Sequence, residues 1–462
     1  MDQELLDKVI KAYDIRGLVD EEISADFTFA LGIAFAKFIE REREPATIVV
    51  GEDMRPSSPD LATAFSDGIT SQGLDVIRIG LCSTDQLYFA SGALNMPGAM
   101  FTASHNPAQY NGIKLCRSGA KPIGQESGLA WIKSAIAQGF PIPNRPMGKE
   151  RSQDLLADYV KFLFSLFPEK SFAPDFQSRP LRIAIDAGNG MGGHTAPAVM
   201  REINAIVDGI YFELDGSFPN HEANPIEPKN LVDLQNLVKE KGSDIGLAFD
   251  GDADRCFLVD EKGNLVSPSA LTALIAKREL IKNPGASIIY NLICSKAVPE
   301  VITESGGRPL RSRVGHSYIK QMMADEGAVF GGEHSGHFYF KDFWSADSGM
   351  LAALHAIAAL LESQIPLSEL MQSFNRYSLS GEINTTVIDQ GKAIDKIKSH
   401  FKDSEPGLTF DELDGLTVNA KNWWFNLRSS NTEPLLRLNV EADTQEQMAS
   451  MRDLVLQLIR NG

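Results

Sequence analysis

Three aspartates in the segment "DGDADR", residues 250–255, have the residue type and spacing of a metal site. Asp250, Asp252 and Asp254 alternate directly after the apolar segment "DIGLAF", so in an extended chain their carboxylates point to one side. Like charges held together repel strongly unless a cation neutralises them, and hard oxygen ligands suit Mg²⁺ or Ca²⁺. The pattern therefore predicts that a divalent cation binds here.

A calcium-binding loop is one alternative for the same segment. Asp250, Asp252, Asp254 and Glu261 fall at positions 1, 3, 5 and 12 of an EF-hand loop. Arg255, however, stands at position 6, where such a loop needs glycine for its sharp turn, and the flanking segments read as strands. The spacing therefore disfavours a calcium sensor.

The segment "TASHNPAQYNGIK", residues 102–114, carries a serine that is a candidate for covalent chemistry. Adjacent residues of an extended chain point in opposite directions, so His105 is badly placed to take a proton from Ser104, and no GxSxG elbow surrounds that serine. Ser104 could instead hold a phosphoryl group beside the metal, with Lys114 and Arg255 balancing the phosphate charge. We therefore favour a phosphate carrier over a hydrolytic nucleophile.

A glycine-rich turn, "GNGMGG" at residues 188–193, matches the GxGxxG pattern of dinucleotide-binding folds. Glu213 lies about where a ribose-binding acid would, which keeps an NAD-dependent oxidoreductase of the Rossmann type open as an alternative. Against it, Asp186 and Asn189 place an acid and an amide beside the turn, and no second nucleotide-binding half is evident. A tight strand-to-helix turn is the favoured interpretation.

The segment "RSSNTEP", residues 428–434, combines a guanidinium group with serine, asparagine and threonine side chains after the predicted strand "NWWFNL". Such donors match the oxygens of a phosphate, to which Arg428 offers the fork geometry of its guanidinium group. The alternative is a polar turn stabilised by its own side chains. These residues by themselves leave the two interpretations equally open.

A second glycine-rich segment, "GGEHSGH" at residues 331–337, contains Glu333 and Ser335, which make a good pair for sugar hydroxyls. His334 and His337 form an HxxH pair, but without a helical context or a third ligand they indicate zinc only weakly. The other interpretation is a turn that carries polar side chains but binds no ligand. We favour sugar binding.

Alternating strand and helix patterns must position these loops. The segments "ATIVVGED", "LDVIRIG" and "GAMFTAS" read as strands of a first α/β unit, "LRIAIDA" and "DIGLAFDGD" as strands of a second, and "ASIIYNLI" opens a third. From about residue 370 the pattern changes to strands with two helices, which indicates a smaller α+β domain with an antiparallel sheet. The predicted fold class is α/β, with layered sheets covered by helices.

The composition limits the possible partners and compartments. The 462 residues suffice for several domains, and 44 basic against 61 acidic residues give a formal charge of −17, which argues against nucleic acid or an anionic membrane as a general partner. Four scattered cysteines without a CxxC pair argue against a disulfide framework or a zinc ribbon. With no secretory signal pattern and no apolar run of membrane-spanning length, we expect a cytoplasmic location.

The loops also follow one another in a recognisable order: "KAYDIRG" at residues 11–17, then "TASHNP", "DGDADR", "GEHSGH" and "RSSNTEP". With this ordered set the chain resembles the α-D-phosphohexomutase superfamily, and most closely its phosphomannomutase/phosphoglucomutase branch. The resemblance implies four domains around a central cleft, three similar α/β domains with mixed sheets and a C-terminal α+β domain with an antiparallel sheet. The expected boundaries are 1–145 with the phosphoserine loop, 146–255 with the metal loop, 256–368 with the sugar-binding loop and 369–462 with the phosphate-binding loop.

The resemblance further implies that Ser104 is a phosphoserine in the resting enzyme. Mg²⁺ is expected on a phosphoserine oxygen and on the three aspartates of "DGDADR". The implied catalytic set, in which Lys114 and His105 are candidate general acids or bases, is Ser104, His105, Lys114 and Arg255. The implied substrate-binding set is Tyr13, Arg16, His316, Glu333, Ser335, His337, Arg428, Ser430, Asn431 and Thr432.

The implied reaction interconverts hexose 1-phosphate and hexose 6-phosphate through a hexose 1,6-bisphosphate, which also serves as activator. His334 resembles the phosphomannomutase versions of its loop, whereas phosphoglucosamine mutases tend to have Gln there. Mannose phosphate is therefore favoured, before glucose phosphate and then glucosamine phosphate. The expected partner is the small hexose phosphate itself, bound by a monomer or a dimer.

Two positions depart from the family pattern. A cationic residue of some members aligns near Ile293, and Lys296 is the candidate substitute for its phosphate contact. Asp85 replaces a common proline, and we expect this change to affect only a turn.

Overall fold

The computed structural model describes residues 2–172, 179–404, 407–429 and 435–460. Within these ranges the chain forms four β-sheets, each packed against helices. The first three sheets contain both parallel and antiparallel pairs, and the fourth is antiparallel throughout. The predicted fold class is confirmed.

The first sheet carries the serine segment between two of its strands. Its strands are β1 (Ile15–Leu18), β2 (Thr47–Glu52), β3 (Asp75–Leu81), β4 (Gly98–Phe101), β5 (Tyr110–Arg117), β6 (Lys121–Pro122) and β7 (Glu150–Ser152). The accompanying helices are α1 (Gln3–Val9), α2 (Ala25–Glu42), α3 (Ser58–Ser71), α4 (Thr84–Leu94) and α5 (Ala130–Gln138). The strand order is β1-β5-β4-β2-β3-β7 with β6 beside β5, so this sheet extends past the expected boundary at residue 145.

The second sheet carries the aspartate segment in a hairpin. Its strands are β8 (Leu181–Asp186), β9 (Ala205–Ile210), β10 (Ile245–Phe249), β11 (Cys256–Asp260) and β12 (Leu265–Val266), and its helices are α6 (Leu156–Ser165), α7 (Gly192–Met200) and α8 (Val232–Lys241). The order is β12-β11-β10-β8-β9, with β10 and β11 antiparallel around residues 250–255. The expected boundary after residue 255 therefore lies inside this sheet.

The third sheet carries the glycine-rich segment with Glu333 between two of its strands. Its strands are β13 (Ser287–Asn291), β14 (Arg308–Ser312), β15 (Phe330–Gly332), β16 (Phe338–Phe340) and β17 (Ala346–Asp347). Its helices are α9 (Pro268–Lys282), α10 (Ala297–Glu304), α11 (His316–Glu326), α12 (Gly349–Ser363) and α13 (Leu367–Leu370). The order is β14-β13-β15-β16-β17, and the bend between β15 and β16 holds the candidate sugar-binding residues.

The fourth domain has a core of its own. It consists of β18 (Ser378–Thr386), β19 (Thr409–Asp411), β20 (Leu416–Asn419), β21 (Trp423–Ser429) and β22 (Leu435–Ala442) with α14 (Gln390–Ser404) and α15 (Gln445–Arg460). The buried Phe425 belongs to an apolar cluster confined to this domain. Polar contacts join it to the third domain: the Val314 N–H donates to the Asp414 carboxylate at 3.1 Å, and Arg311 pairs with Asp411.

One hydrophobic core runs through the first three domains. It joins Ile77 of β3, Leu163 of α6 and the apolar side chains of α12. Residues 349–360 of α12 are all buried, so this helix needs no polar face. No single helix in the described ranges has the length and apolar character to cross a membrane; α12 and the segment 367–373 pass that test only as a pair bent by 97°.

Asp85 connects three helices, so the expectation that it affects only a turn is wrong. Its buried carboxylate at the start of α4 accepts hydrogen bonds from the Tyr159 hydroxyl of α6 at 2.7 Å and from the Ser348 hydroxyl at 2.6 Å. Ser348 is the N-cap of α12, and Ser83 also donates to Asp85. Burial raises the pKa of Asp85 to about 6, although the three hydroxyl donors oppose the rise.

We expect the stability advantage of the wild type over the D85N variant to shrink as the pH rises. The folded-state pKa of about 6 exceeds the model-peptide value of 3.8, so ionisation of Asp85 costs stability between about pH 4 and pH 7. The full change amounts to about 3 kcal/mol. Thermal unfolding of both proteins across this range measures it, and the exposed Asp158→Asn exchange on α6 is the control. A Tm difference between wild type and D85N that stays constant with pH would contradict the assignment.

Candidate functional site

The three aspartates meet in the turn between β10 and β11. The turn is not extended as predicted, because Ala253 adopts a left-handed conformation with φ of 59°. Asp250, Asp252 and Asp254 still converge: their side chains are at most 1% exposed, and one oxygen of each lies within 4.8 Å of the others. The curved backbone of the turn thus brings the three carboxylates together.

Basic groups only partly neutralise this cluster. The Lys114 ammonium from β5 lies 2.7 Å from Asp252 and 2.6 Å from Asp254, and Nε of Arg255 donates to Asp250 at 2.8 Å. The Oδ1 atoms of Asp252 and Asp254 are buried and accept no hydrogen bond from any described residue. Oxygens that lack a donor in a cluster of excess negative charge fit a hard divalent cation such as Mg²⁺.

Burial and charge move the pKa values within the cluster in different directions. Burial raises the pKa of Asp250 to about 7, helped by its two acidic neighbours and opposed by Arg255. Burial would also raise the pKa of Asp252, but the Lys114 ammonium overcomes this effect and holds that pKa well below its usual range. For Lys114, burial lowers the pKa, and the attraction of Asp252 and Asp254 outweighs burial and raises it. Lys114 is therefore a stable cation here.

The glycine-rich turn at residues 188–193 supports the aspartate turn. The Met191 N–H donates to the Gly251 carbonyl at 2.8 Å, and a Cβ on Gly190 would lie 2.6 Å from the same oxygen. Asn189 donates to the Glu213 carbonyl at 2.9 Å. These contacts favour the strand-to-helix interpretation of this turn over nucleotide binding.

Ser104 comes from the first domain and reaches the aspartate cluster. Its Oγ donates to Oδ2 of Asp250 at 2.8 Å, and the residue is 5% exposed. Its φ of 49° is left-handed, which brings its Oγ within 3.2 Å of Nδ1 of the neighbouring His105. The expectation that these adjacent side chains diverge is therefore wrong, because it assumed an extended chain.

His105 nevertheless makes a poor base for Ser104. Its Nδ1 accepts a hydrogen bond from Nη2 of Arg255 at 2.6 Å, so that lone pair is occupied. Burial lowers the pKa of His105 well below its usual value, and the charges of Arg255 and Arg16 lower it further. A hydrolytic Ser-His pair remains disfavoured, for this reason rather than for the predicted one.

The bend between β15 and β16, in the third domain, lies next to the aspartate cluster. The Ser335 hydroxyl donates to Glu333 at 3.0 Å, and Glu333 also accepts the Gly315 N–H at 3.0 Å. Nε2 of His337 lies 3.6 Å from Oδ1 of Asp254. The sugar-binding candidates of the third domain thus adjoin the metal candidates of the second.

Residues of "KAYDIRG" lie beside the serine segment. Arg16 donates to the side-chain oxygens of Asn106 and of Asp14. The ring of Tyr13 contacts the ring of Tyr318 edge-on, with 6.1 Å between centroids. The first and third domains therefore approach each other here.

The fourth domain contributes Arg428 at the end of β21. Its Nη2 donates to Glu382 at 2.6 Å, and Arg437 donates to the other oxygen of Glu382 at 3.1 Å. Ser430, Asn431 and Thr432 lie outside the described residues. His316 begins α11, and its side chain also lies outside the description.

Ile293 and Lys296, the two residues of the departure just after β13, have different surroundings. Ile293 is buried, with 4% of its surface exposed. The backbone N–H of Lys296 donates to Glu441 of the fourth domain at 3.1 Å. Lys296 also lines a groove together with Glu300 and Thr303 of α10.

Sequence reasoning missed two residues that hold the site. The Thr84 hydroxyl donates to Asp252 at 2.6 Å, and Arg55 donates to the backbone of the serine segment. Thr84 opens a helix and Arg55 follows the buried strand β2. Because the carboxyl ends of parallel strands meet at one edge of a sheet, an arginine at that position was a usable signal.

Comparison with known proteins gives a consistent result over the whole chain. Four family models match: phosphoglucomutase/phosphomannomutase α/β/α domain I over residues 7–140, domain II over 157–263, domain III over 267–377, and the C-terminal domain over 382–458. The phosphomannomutase of Escherichia coli (strain K12) is 39% identical over 443 residues, covering 94% of each chain.

Two further relatives agree with this match. A Xanthomonas campestris protein named phosphohexose mutases is 38% identical over 433 residues, covering 93% of this chain and 94% of that protein. The crystal structure of a phosphoglucomutase/phosphomannomutase family protein from Burkholderia thailandensis superposes with a TM-score of 0.85 at 30% identity, covering 100% of this chain and 99% of the other.

We expect Mg²⁺ to raise the Tm of the wild type and to raise that of a D252N variant far less. Binding to the folded state alone stabilises by mass action, by about 3 kcal/mol at a hundredfold excess over Kd. The D252N change removes one charge and one ligand oxygen. Thermal unfolding with and without saturating Mg²⁺ measures the shift, and D260N is the control, since Asp260 accepts backbone N–H groups of its own hairpin. Equal Mg²⁺ shifts in D252N and wild type would refute the site.

Proposed function

Because this chain belongs to the phosphoglucomutase/phosphomannomutase family, we propose that it interconverts mannose 1-phosphate and mannose 6-phosphate through a phosphoserine at Ser104. A hexose 1,6-bisphosphate is the proposed intermediate and, in trace amounts, the activator. The observation that carries the proposal is the 2.8 Å contact between Oγ of Ser104 and Asp250. It joins a hydroxyl of the first domain to the acidic cluster of the second.

The proposed reaction proceeds in two balanced halves. In the first, the bond between the Ser104 oxygen and phosphorus breaks while a free sugar hydroxyl forms the new bond to phosphorus. The sugar hydroxyl loses a proton, and the Ser104 oxygen gains one. After the bisphosphate turns over in the cleft, its other phosphoryl group returns to Ser104. The net result is an isomerisation that needs no co-reactant.

The basic groups beside Ser104 support this transfer. Arg255 and Lys114 already flank the cluster, where they would stabilise charge on the transferring oxygens. Lys114 and His105 are the two proposed candidates for moving the proton. Because Asp252 and Asp254 hold Lys114 in its charged form, its main proposed part is to stabilise charge on the transferring group. Mg²⁺ would be held by Asp250, Asp252, Asp254 and a phosphoserine oxygen. When bound, it supplies positive charge against the phosphoryl oxygens.

The other end of the substrate is proposed to contact the third and fourth domains. Glu333 and Ser335 hydrogen-bond each other and offer both a donor and acceptors to sugar hydroxyls. His337 lies between this pair and the metal cluster. The residues proposed to bind the non-reacting phosphate or to line the cleft are Tyr13, Arg16, His316, Arg428, Ser430, Asn431 and Thr432.

Mannose is the proposed sugar, with glucose as a second substrate. His334 is partly buried, its Nδ1 lies 2.9 Å from the Ser269 hydroxyl, and desolvation lowers its pKa to about 4. The support for mannose is the residue type, because His334 matches the phosphomannomutase versions of this loop, where phosphoglucosamine mutases tend to have Gln. The family description, phosphoglucomutase/phosphomannomutase, supports glucose phosphate as the alternative, before glucosamine phosphate.

The setting that we propose follows from the substrate. Hexose phosphates are small soluble metabolites, so we expect the enzyme to act in the cytoplasm as a monomer or dimer. Neither nucleic acid nor a membrane is needed for the reaction, and the formal charge of −17 favours neither.

Replacing Ser104 by alanine should lower turnover by about three orders of magnitude or more while the protein remains folded. The variant loses the atom that carries the phosphoryl group, and a single loop hydroxyl contributes little to stability. A coupled mutase assay and intact mass before and after phosphatase measure both effects. S134A is the control, since the exposed Ser134 hydroxyl donates to the Ala130 carbonyl of its own helix, α5. Near-normal turnover in S104A would overturn the phosphoserine relay.

The kcat/KM values for mannose, glucose and glucosamine 1-phosphates should fall in that order. Hydroxyl-binding groups reject an analogue that cannot match their hydrogen bonds, so glucosamine phosphate should be at least about tenfold poorer than mannose phosphate. The assay contains a trace of hexose 1,6-bisphosphate. A preference for glucosamine phosphate would make the mannose assignment untenable without affecting the phosphoserine itself.

A further inference from the structure

A buried arginine lies directly beneath the serine segment. The side chain of Arg55, just beyond the end of β2, is fully buried and donates to four backbone carbonyls of that segment. Nη2 donates to Ser104 O at 2.9 Å and to Asn106 O at 2.7 Å, and Nη1 donates to Pro107 O and Tyr110 O, both at 2.9 Å. One guanidinium group thus holds the whole turn.

The carboxylate of Asp53 holds Arg55 in place. Its Nε lies 3.2 Å from Oδ2 of Asp53, and its backbone N–H donates to Oδ1 of the same carboxylate at 3.0 Å. The Ser58 hydroxyl, at the start of α3, donates to Asp53 at 2.7 Å. A buried arginine without such partners would be strongly destabilising, so these contacts define where the guanidinium group lies.

The backbone conformation of the turn that Arg55 holds is intrinsically unfavourable. The left-handed conformation of Ser104 costs a non-glycine residue about 1–2 kcal/mol. The same conformation directs its Oγ to Asp250. The carbonyl of Ser104 packs against the aspartate turn, since a Cβ on Gly251 would lie 2.3 Å from that oxygen. Arg55 therefore fixes an atom on which the spacing between serine and aspartates depends.

The second domain covers Arg55 from the other side. The Phe218 ring lies over the guanidinium group, with its centroid 5.2 Å from Cζ. A Cβ on Gly216 would lie 2.7 Å from Cα of Arg55. The arginine thus lies where the serine segment and the second domain meet, with its side chain fully buried.

We propose that Arg55 is a positioning residue for the phosphoserine: by holding the carbonyls of residues 104–110, it keeps the Ser104 oxygen facing the aspartate cluster. The inference rests on the proposed function, because a phosphoryl group on Ser104 gives this positioning its purpose. An arginine is required because its planar group presents five N–H donors in a fixed fork, which serve four carbonyls and one carboxylate at once. Lysine has three donors on one atom and cannot span them.

The test compares R55K with the wild type as full-length, Mg²⁺-loaded phosphoenzymes. We expect kcat to fall about 100-fold in R55K, as a misplacement of about 1 Å in a reacting group does. KM for mannose 1-phosphate should change less than about threefold, because the substrate contacts are intact. R151K is the matched control, since Arg151 is an exposed arginine of β7 in the same sheet. A kcat within about threefold of wild type in R55K would overturn the proposal.

A second measurement separates positioning from a merely structural role. In R55A, added guanidinium ion should restore single-turnover transfer from phosphoserine to mannose 1-phosphate by about tenfold or more, while methylammonium should not. Loss of Tm with unchanged kcat in the folded fraction overturns the proposal, and so does failure of both R55K and R55A to fold. An inactive, unphosphorylated wild type contradicts the proposed function. An active wild type with an equally active R55K contradicts the positioning role alone.

Discussion

The mutual repulsion of three buried carboxylates is the constraint on which the rest of the site depends. Asp250, Asp252 and Asp254 lie together with almost no exposure to water, which is unfavourable unless positive charge offsets it. Part of that charge comes from Arg255 in the same hairpin and part from Lys114 on the first sheet. The acids and the lysine belong to different domains. The ion pairs that neutralise the cluster therefore also hold the first and second domains together. The Ser104 hydroxyl of the first domain donates to Asp250 of the same cluster.

The residue types in the site could be recognised from the sequence, but the backbone that presents them could not. The aspartate spacing correctly indicated a cluster, yet an extended chain was the wrong reason for it. Ala253 and Ser104 adopt left-handed conformations that their side chains do not favour. Such conformations are imposed by contacts from elsewhere in the chain, here including those of Arg55. Local pattern alone therefore mispredicted the relation between Ser104 and His105.

The fold class followed from periodicity, whereas contacts between distant segments did not. Asp85 has hydrogen-bond partners 74 and 263 residues away. The residues next to it in the sequence therefore indicate only a turn. Sheet membership was misjudged for a related reason. The segment 256–266 stays with the second sheet because β11 and β12 complete a hairpin ladder there, although a motif ends at residue 255. Pairing of strands, rather than the position of motifs, determines which sheet a segment joins.

The separate core of the fourth domain has a consequence for how the molecule responds to its solvent. The first three domains share an apolar core, and burial of that kind is insensitive to modest salt. The fourth domain meets the third through charged pairs such as Arg311 with Asp411, which are about one-third exposed. Ions in solution screen exposed pairs of this kind over a Debye length of about 8 Å at physiological ionic strength. The ionic strength around the molecule therefore acts on the contacts between the third and fourth domains more than on the apolar core that the first three domains share.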